Sequence, residues 1–280
     1  MNQWFSLDSM LLSWAVWMLM KSLSDFSDQK IRVVLTDIDG TLTQQGRLPA
    51  HSYASLWKLH EAGLHVIPVT GRPAGWCELI ARLWPVHGVI GENGALYFRL
   101  QKDKMLRYFA RAKTERRSDR EKLRAIRAEV LKKVPGCAVA SDQFSRLFDL
   151  AIDFSEDVKL LSEKKIREIV SIFESHGATA KVSNIHVNGW FGDYDKVTTC
   201  QKYLQREFGY SVEQMKEQCI FVGDSPNDEP MFKFFPHSFA VANIKAFLPQ
   251  LEHKPAYVSA QEEGLGFAEV ADRVLAVVAR

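Results

Sequence analysis

The chain has 280 residues, 46% hydrophobic and 25% charged, with a formal net charge of +2. This suits a soluble globular protein of one large or two ordinary domains, and gives no strong overall field toward nucleic acid or membrane. Cys77, Cys137, Cys200 and Cys219 lie far apart and the eight histidines are scattered, which argues against a zinc site or disulfide framework and fits a reducing cytosol.

Residues 1–28 stand apart. Met10 to Met20 is apolar except for Ser13. It falls short of the roughly 20 residues that span a bilayer. Asp8 precedes it, no Lys or Arg does, and no small-residue cleavage site follows, so it makes a poor signal peptide. The expectation is a non-catalytic apolar appendage, either a docking helix or an upstream extension, followed by SLSDFSDQ as a polar linker.

Ile31 to Leu35 is a continuous apolar, β-branched run and predicts a buried parallel strand. It leads into Asp37 and Asp39. Residues i and i+2 of an extended chain point the same way, so both carboxylates leave the strand end on one side. Pro49 to Ala62 predicts a helix that Gly63 stops. Leu64 to Val69 predicts a second strand, ending in Thr70-Gly71-Arg72-Pro73, and a helix follows over 74–83. Val86 to Ile90 predicts a third strand before Glu92-Asn93-Gly94. Alternating strands and helices predict a mostly parallel, doubly wound α/β sheet.

The rhythm changes near Ala95. Six strand-like runs and two long helical patterns up to Val187 predict a separate α+β unit, inserted as residues 95–188 into a core of 29–94 and 189–280. Leu123, Ile126, Val130 and Val134 line one helix face; Val158, Ile166, Ile169, Val170 and Phe173 line the other helix. Alternation then resumes with a helix from Lys196, a strand over Cys219 to Val222, a helix carrying Met231 and Phe232, a strand over Phe239 to Ala242, and a closing helix from Gly264. Asp193 and Asp195 are read as N-cap residues of the Lys196 helix.

Three strand ends thus carry functional side chains: Asp37 with Asp39, Thr70, and Asp224 with Asp228. In open α/β sheets ligands bind at such ends. Carboxylates without histidine or thiolate partners specify a hard divalent cation, naturally Mg²⁺, which completes its shell with water and phosphate oxygens. The Thr70 hydroxyl, backbone N–H groups near Gly40 and Gly71, and the Lys196 ammonium suit those oxygens. Asp37, held by the strand, is the better nucleophile. Asp39 can protonate the leaving alkoxide and then deprotonate water. Arg72 can bind substrate or pair with a neighbouring carboxylate. Asn93 is a ligand contact or a left-handed turn residue.

With DIDGT at 37–41, VTGR at 69–72, GDYDK at 192–196 and GDSPND at 223–228 in order, the chain resembles the haloacid dehalogenase superfamily over roughly residues 31–280. The resemblance is to its large-cap type IIB branch, which includes Cof-type, sucrose-phosphate and mannosyl-3-phosphoglycerate phosphatases. It implies Asp37 as nucleophile, Asp39 as acid/base, Thr70 on phosphate, Lys196 stabilising the phosphoryl group, Asp224 on Mg²⁺, Asn227 on phosphate, and Asp228 supporting the metal shell. The Asp39 main-chain carbonyl is implied as a further metal ligand. ENGA at 92–95 looks like the family's element just before the cap. The expectation is a cytoplasmic phosphatase whose partner is a small phosphorylated metabolite, with the insert closing over the crevice and no membrane span.

Two alternatives remain at this level. One is a phosphomutase of the phosphomannomutase type, which needs a second phosphate clamp in the insert. The other, from a different class, is a module that binds nucleic acid or acidic lipid through the basic stretch 99–135, where 14 Lys or Arg face five acids. Few aromatics interleave there, so no nucleic-acid partner is expected.

Overall fold

The computed structural model describes residues 20–28 and 30–279. The apolar run from Met10 and the rest of the appendage before Met20 lie outside the described residues. The described residues divide into two compact units, one of residues up to 68 with those from 204 onward and one of residues 69–203.

The first unit is built on one six-stranded sheet. Its strands are β1 (Lys21–Ser22), β2 (Val33–Thr36), β3 (His65–Pro68), β11 (Cys219–Gly223), β12 (Ser238–Ala240) and β13 (Tyr257–Val258). All pairs are parallel, in the order β1-β13-β12-β11-β2-β3. Every residue of β2 and β11 is buried, which explains their unbroken apolar runs. Helices α1 (Ala50–Glu61) and α8 (Glu263–Val278) pack on each other. The stretch expected as a linker contributes more than a tether. Lys21 and Ser22 pair with β13, and Phe26 is fully buried, edge-on to Phe239 and Tyr257 at centroid distances of 5.0 and 5.5 Å. Arg273 Nε donates to the Phe26 carbonyl at 2.9 Å, so the closing helix fixes the entry of the chain.

The second unit holds two antiparallel sheets. β4 (Val89–Gly91), β5 (Leu96–Gln101) and β6 (Lys104–Phe109) form one; β7 (Ala138–Val139), β8 (Leu150–Asp153), β9 (Thr179–Val182) and β10 (His186–Trp190) form the other, in the order β7-β8-β10-β9. The third predicted strand therefore differs from expectation. β4 pairs antiparallel with β5, and its Ile90 makes an isolated parallel bridge with Val69 of the same unit. Helix α2 (Ala74–Leu83) follows the Thr70 turn. Helices α3 (Lys113–Lys133) and α4 (Glu163–Ser175) cover the four-stranded sheet. Leu123, Ile126 and Val130 of α3 meet Ile169 and Phe173 of α4 and Ile152 and Val187 of the sheet. Val158, expected in this second helix, precedes it. The boundary back to the first unit falls within α5 (Lys196–Phe208), which is followed by α6 (Val212–Gln218) and α7 (Glu229–Phe234). No helix among the described residues is long and apolar enough to cross a membrane.

Candidate active site

In the first unit β2 and β11 are neighbours, with Thr36 opposite Val222. The chain leaves β2 toward β3 on one side and meets β11 on the other. That is the switch point of the sheet, the place where open α/β sheets bind ligands at the strands' C-terminal ends. Asp37 follows β2 and continues the ladder, its N–H donating to the Val222 carbonyl at 2.9 Å. Asp224 follows β11. Asp37, Asp224 and Asp228 are all buried, and each offers a carboxylate oxygen within 4.8 Å of the others.

The support around them is specific. Asp224 Oδ1 accepts from the Thr41 hydroxyl at 3.3 Å, and its Oδ2 from Asn243 Nδ2 at 3.0 Å. Asn243 Nδ2 also donates to the Gly40 carbonyl at 3.1 Å, while its Oδ1 accepts from the Glu263 N–H at 3.0 Å. One amide thereby ties the turn after β2, the aspartate after β11 and the start of α8 together. Asp228 Oδ2 accepts from the Asp224 N–H at 3.1 Å. A Cβ on Gly223 would stand 2.5 Å from that same Oδ2, so the residue before Asp224 must be glycine. The turn after Asp37 is tight: Leu42 and Thr43 donate to the Ile38 carbonyl at 2.9 and 3.0 Å, and Gly40 takes a φ of 78° that favours glycine. Asp39 lies in this turn, half-buried. Asn227 is also half-buried and accepts from the Ser225 hydroxyl at 2.7 Å.

Three buried carboxylates this close repel unless a proton or cation joins them. The donors are all oxygens, the set a hard divalent ion such as Mg²⁺ requires. The residues fit such an ion: Asp37, Asp224 and Asp228 could hold it by their side chains.

In the second unit, Thr70, Gly71, Arg72, Asn93 and Lys196 belong to one knot of turns. Thr70 is fully buried, and its Oγ1 accepts from the Arg72 N–H at 3.0 Å. Asn93 donates its N–H to the Thr70 carbonyl at 3.1 Å, and the Glu92 N–H reaches the Arg72 carbonyl at 3.0 Å. Asn93 has φ 54° and ψ 30°, the left-handed turn conformation. A Cβ on Gly71 would meet Asn93 Oδ1 at 3.2 Å. The Gly94 carbonyl accepts from the Thr199 hydroxyl at 2.6 Å, which sets the start of α5 and hence buried Lys196 against this turn. Asp195 caps that helix, accepting from the Thr198 N–H at 2.7 Å. Asp193 is exposed and makes no cap bond.

Arg72 is committed within this unit. It pairs with Glu156 at 3.0 Å and Asp142 at 3.6 Å, with its guanidinium over the Trp76 ring. Arg146 pairs with Asp142 and Asp149 and donates to the Gly71 carbonyl at 2.9 Å. Glu92 accepts from the N–H groups of Ala74, Leu147 and Phe148 at 3.0, 2.9 and 2.7 Å. Burial, aided by the Asp149 charge, pushes the Glu92 carboxyl up to about 7. The His186 imidazole, 2.9 Å away, and Arg72 beside it hold Glu156 down to about 2.

Sequence reasoning missed Thr41, Asn243 and this charge network. Asn243 had a usable signal, because it follows directly on a predicted strand, as Asp37 and Asp224 do. The network had none; its partners are up to 84 residues apart.

A profile of the haloacid dehalogenase-like hydrolases matches residues 31–235. The chain belongs to that family. It is a hydrolase by this membership. The fold is shared with a HAD/COF-like hydrolase from Plasmodium vivax at 19% identity (91% of this chain, 98% of that one, TM-score 0.65). A HAD subclass IIB sugar phosphatase shares it at 18% identity (86% and 98%, TM-score 0.60). The sucrose-phosphatase of Synechocystis, solved with sucrose and phosphate, does so at 12% identity (88% and 98%, TM-score 0.59). No curated protein matches the chain significantly.

Proposed function

We propose that this protein is a Mg²⁺-dependent phosphatase of a small phosphorylated metabolite, a sugar phosphate or a sugar-phosphate conjugate. The observation that carries the reading is the buried trio Asp37, Asp224 and Asp228 at the ends of two adjacent parallel strands. The sugar phosphatase and sucrose-phosphatase that share the fold support the substrate class.

Asp37 attacks phosphorus and the ester P–O bond breaks, leaving an aspartyl-phosphate. Asp39, two residues on, gives its proton to the departing alkoxide. It then takes one from the water that hydrolyses the acyl phosphate, which restores Asp37 and releases phosphate. A bound Mg²⁺ supplies charge neutralisation for the phosphoryl oxygens. Thr41 and Asn243 hold Asp224 in one orientation for that ion. Thr70, Lys196 and Asn227 take phosphoryl oxygens, the roles their motifs imply. Selection of the leaving group is assigned to the insert, residues 95–188. The four free cysteines suit a cytoplasmic setting.

The test is a phosphate-release screen over phosphorylated metabolites, with and without Mg²⁺. At least one sugar phosphate should be turned over only with the metal. Turnover unaffected by chelation would refute the metal-dependent reading.

A further inference from the structure

We propose that the second unit carries a binding site for a small phosphorylated ligand, formed by Arg120, Arg124 and Arg127 of α3 around a cavity rimmed by Phe144. The cavity measures 430 Å³, within the range of small-molecule sites, roughly 300–1,000 Å³. All its walls belong to the second unit, so binding there stands apart from the carboxylate site; only the assignment of the ligand as substrate rests on the phosphatase reading.

The charge balance of α3 is the first reason. The helix has nine Lys or Arg and four acids. Each acid already has a cation: Glu115 and Asp119 meet Arg111, Glu121 meets Arg124, and Glu129 meets Lys133. Arg120 and Arg127 make no ion pair or side-chain hydrogen bond among the described residues. A solvated helix face does not need this arrangement, because like charges one turn apart destabilise a helix.

The second reason is where they sit. Leu123, Ile126 and Val130 are buried in the core, which fixes the rotation of α3. The spacing 120, 124, 127 therefore sets three guanidiniums along one edge, over the segment that runs from Phe144 to Leu150. The lining has four arginines, counting Arg146, against one carboxylate, Asp149. Arg146 and Asp149 are paired with each other at 3.1 Å and Arg124 with Glu121 at 2.8 Å, which leaves Arg120 and Arg127 as the surplus.

The third reason is Phe144, which is 91% exposed at the rim. An aromatic ring held in the open beside cations suits a ligand with a ring on one side and an anion on the other. Guanidinium forks match phosphate oxygens bidentately. A phosphorylated sugar has both parts. A half-open cavity of this size also fits a small ligand better than the continuous groove that tracks a nucleic-acid strand. The phosphate can be a second group on the protein's own substrate, or belong to a separate effector.

The test uses the full chain with Asp37→Asn, so that binding is read without turnover and stands apart from the phosphatase reading. Calorimetric titration with a hexose bisphosphate should show binding that weakens at least about 10-fold in Arg120→Gln/Arg127→Gln and weakens less in Arg120→Lys/Arg127→Lys, which keeps charge but loses the fork. Phe144→Ala should weaken binding without changing its salt dependence. Unchanged affinity in a double glutamine variant that melts at the parent temperature would overturn the proposal. So would tighter binding of an RNA oligomer than of the bisphosphate through the same arginines. In the active chain, competitive inhibition of monophosphate turnover by the bisphosphate assigns the group to the substrate. An altered kcat, lost in the arginine variant, assigns it to an effector.

Discussion

Both units bury carboxylates, and they treat them in opposite ways. In the second unit, acids and guanidiniums alternate: Arg72 sits between Glu156 and Asp142, and Arg146 between Asp142 and Asp149. In the first unit, Asp37, Asp224 and Asp228 have one another as close neighbours, and the donors on Asp224 include a neutral hydroxyl and a neutral amide. Charges balanced inside the fold are scaffolding, because removing one partner strands the other in a low dielectric. Like charges gathered at a sheet's switch point are a cost to folding that a bound cation offsets. Burial alone does not separate a site from a support; the sign of the neighbours does.

The sharpest way to break this contrast is Asp37→Asn. It should lower phosphate release by roughly 10³-fold or more, as loss of a nucleophile does. It should leave the melting temperature equal or higher, because one repelling charge is gone. Retained turnover would remove Asp37 from the chemistry. The complementary change is Arg146→Met, which leaves Asp142 and Asp149 buried without their partner. It should destabilise the protein by about 3–5 kcal/mol in urea unfolding, and a neutral result would mean the network is not structural.

Asn243→Ala tests the support of the carboxylate trio. Orienting partners of metal ligands typically contribute about 10–100-fold in metal affinity or activity. The Mg²⁺ concentration for half-maximal turnover should rise, and excess Mg²⁺ should restore most of the rate. A lowered rate with an unchanged Mg²⁺ requirement would count against the role.

The smallest effect is a pH dependence in the second unit. Glu156 is held at about 2, below its ordinary 4.5, first by His186 and then by Arg72. A depressed carboxyl stabilises the fold at higher pH. Its contribution is complete above about 4.5 and is lost as pH falls toward about 2. Urea midpoints should fall across that window, and fall less in Glu156→Gln and His186→Ala. Equal slopes in all three proteins would rule the pair out as the cause.

The catalytic candidates were legible because they are local. An apolar run followed by Asp37, or by Gly223-Asp224, announces a strand end, and the family motifs lie in such short stretches. Helices 74–83 and 196–208 were legible for the same reason, through apolar spacing with Pro73 at one start and Asp195 at the other. β1, β13 and α6 were not. Two-residue strands carry no periodicity, and Lys21 and Ser22 become a strand only because β13 offers them an edge. The two meanings left open for Arg72 and Asn93 also needed distant atoms. Arg72 is paired with Glu156, and Asn93 holds a left-handed turn.

By itself the sequence determined the family, the parallel strand ends and the residue types placed there, since those depend on neighbours in the chain. Tertiary structure decided which carboxylates meet and which are neutralised. Thr41 finds Asp224 across 183 residues, and Asn243 joins two motifs that no spacing connects. It also decided that Arg120 and Arg127 stay uncompensated while every acid on their helix is engaged. Electrostatic roles depend on distances between side chains, and only the folded chain fixes those distances.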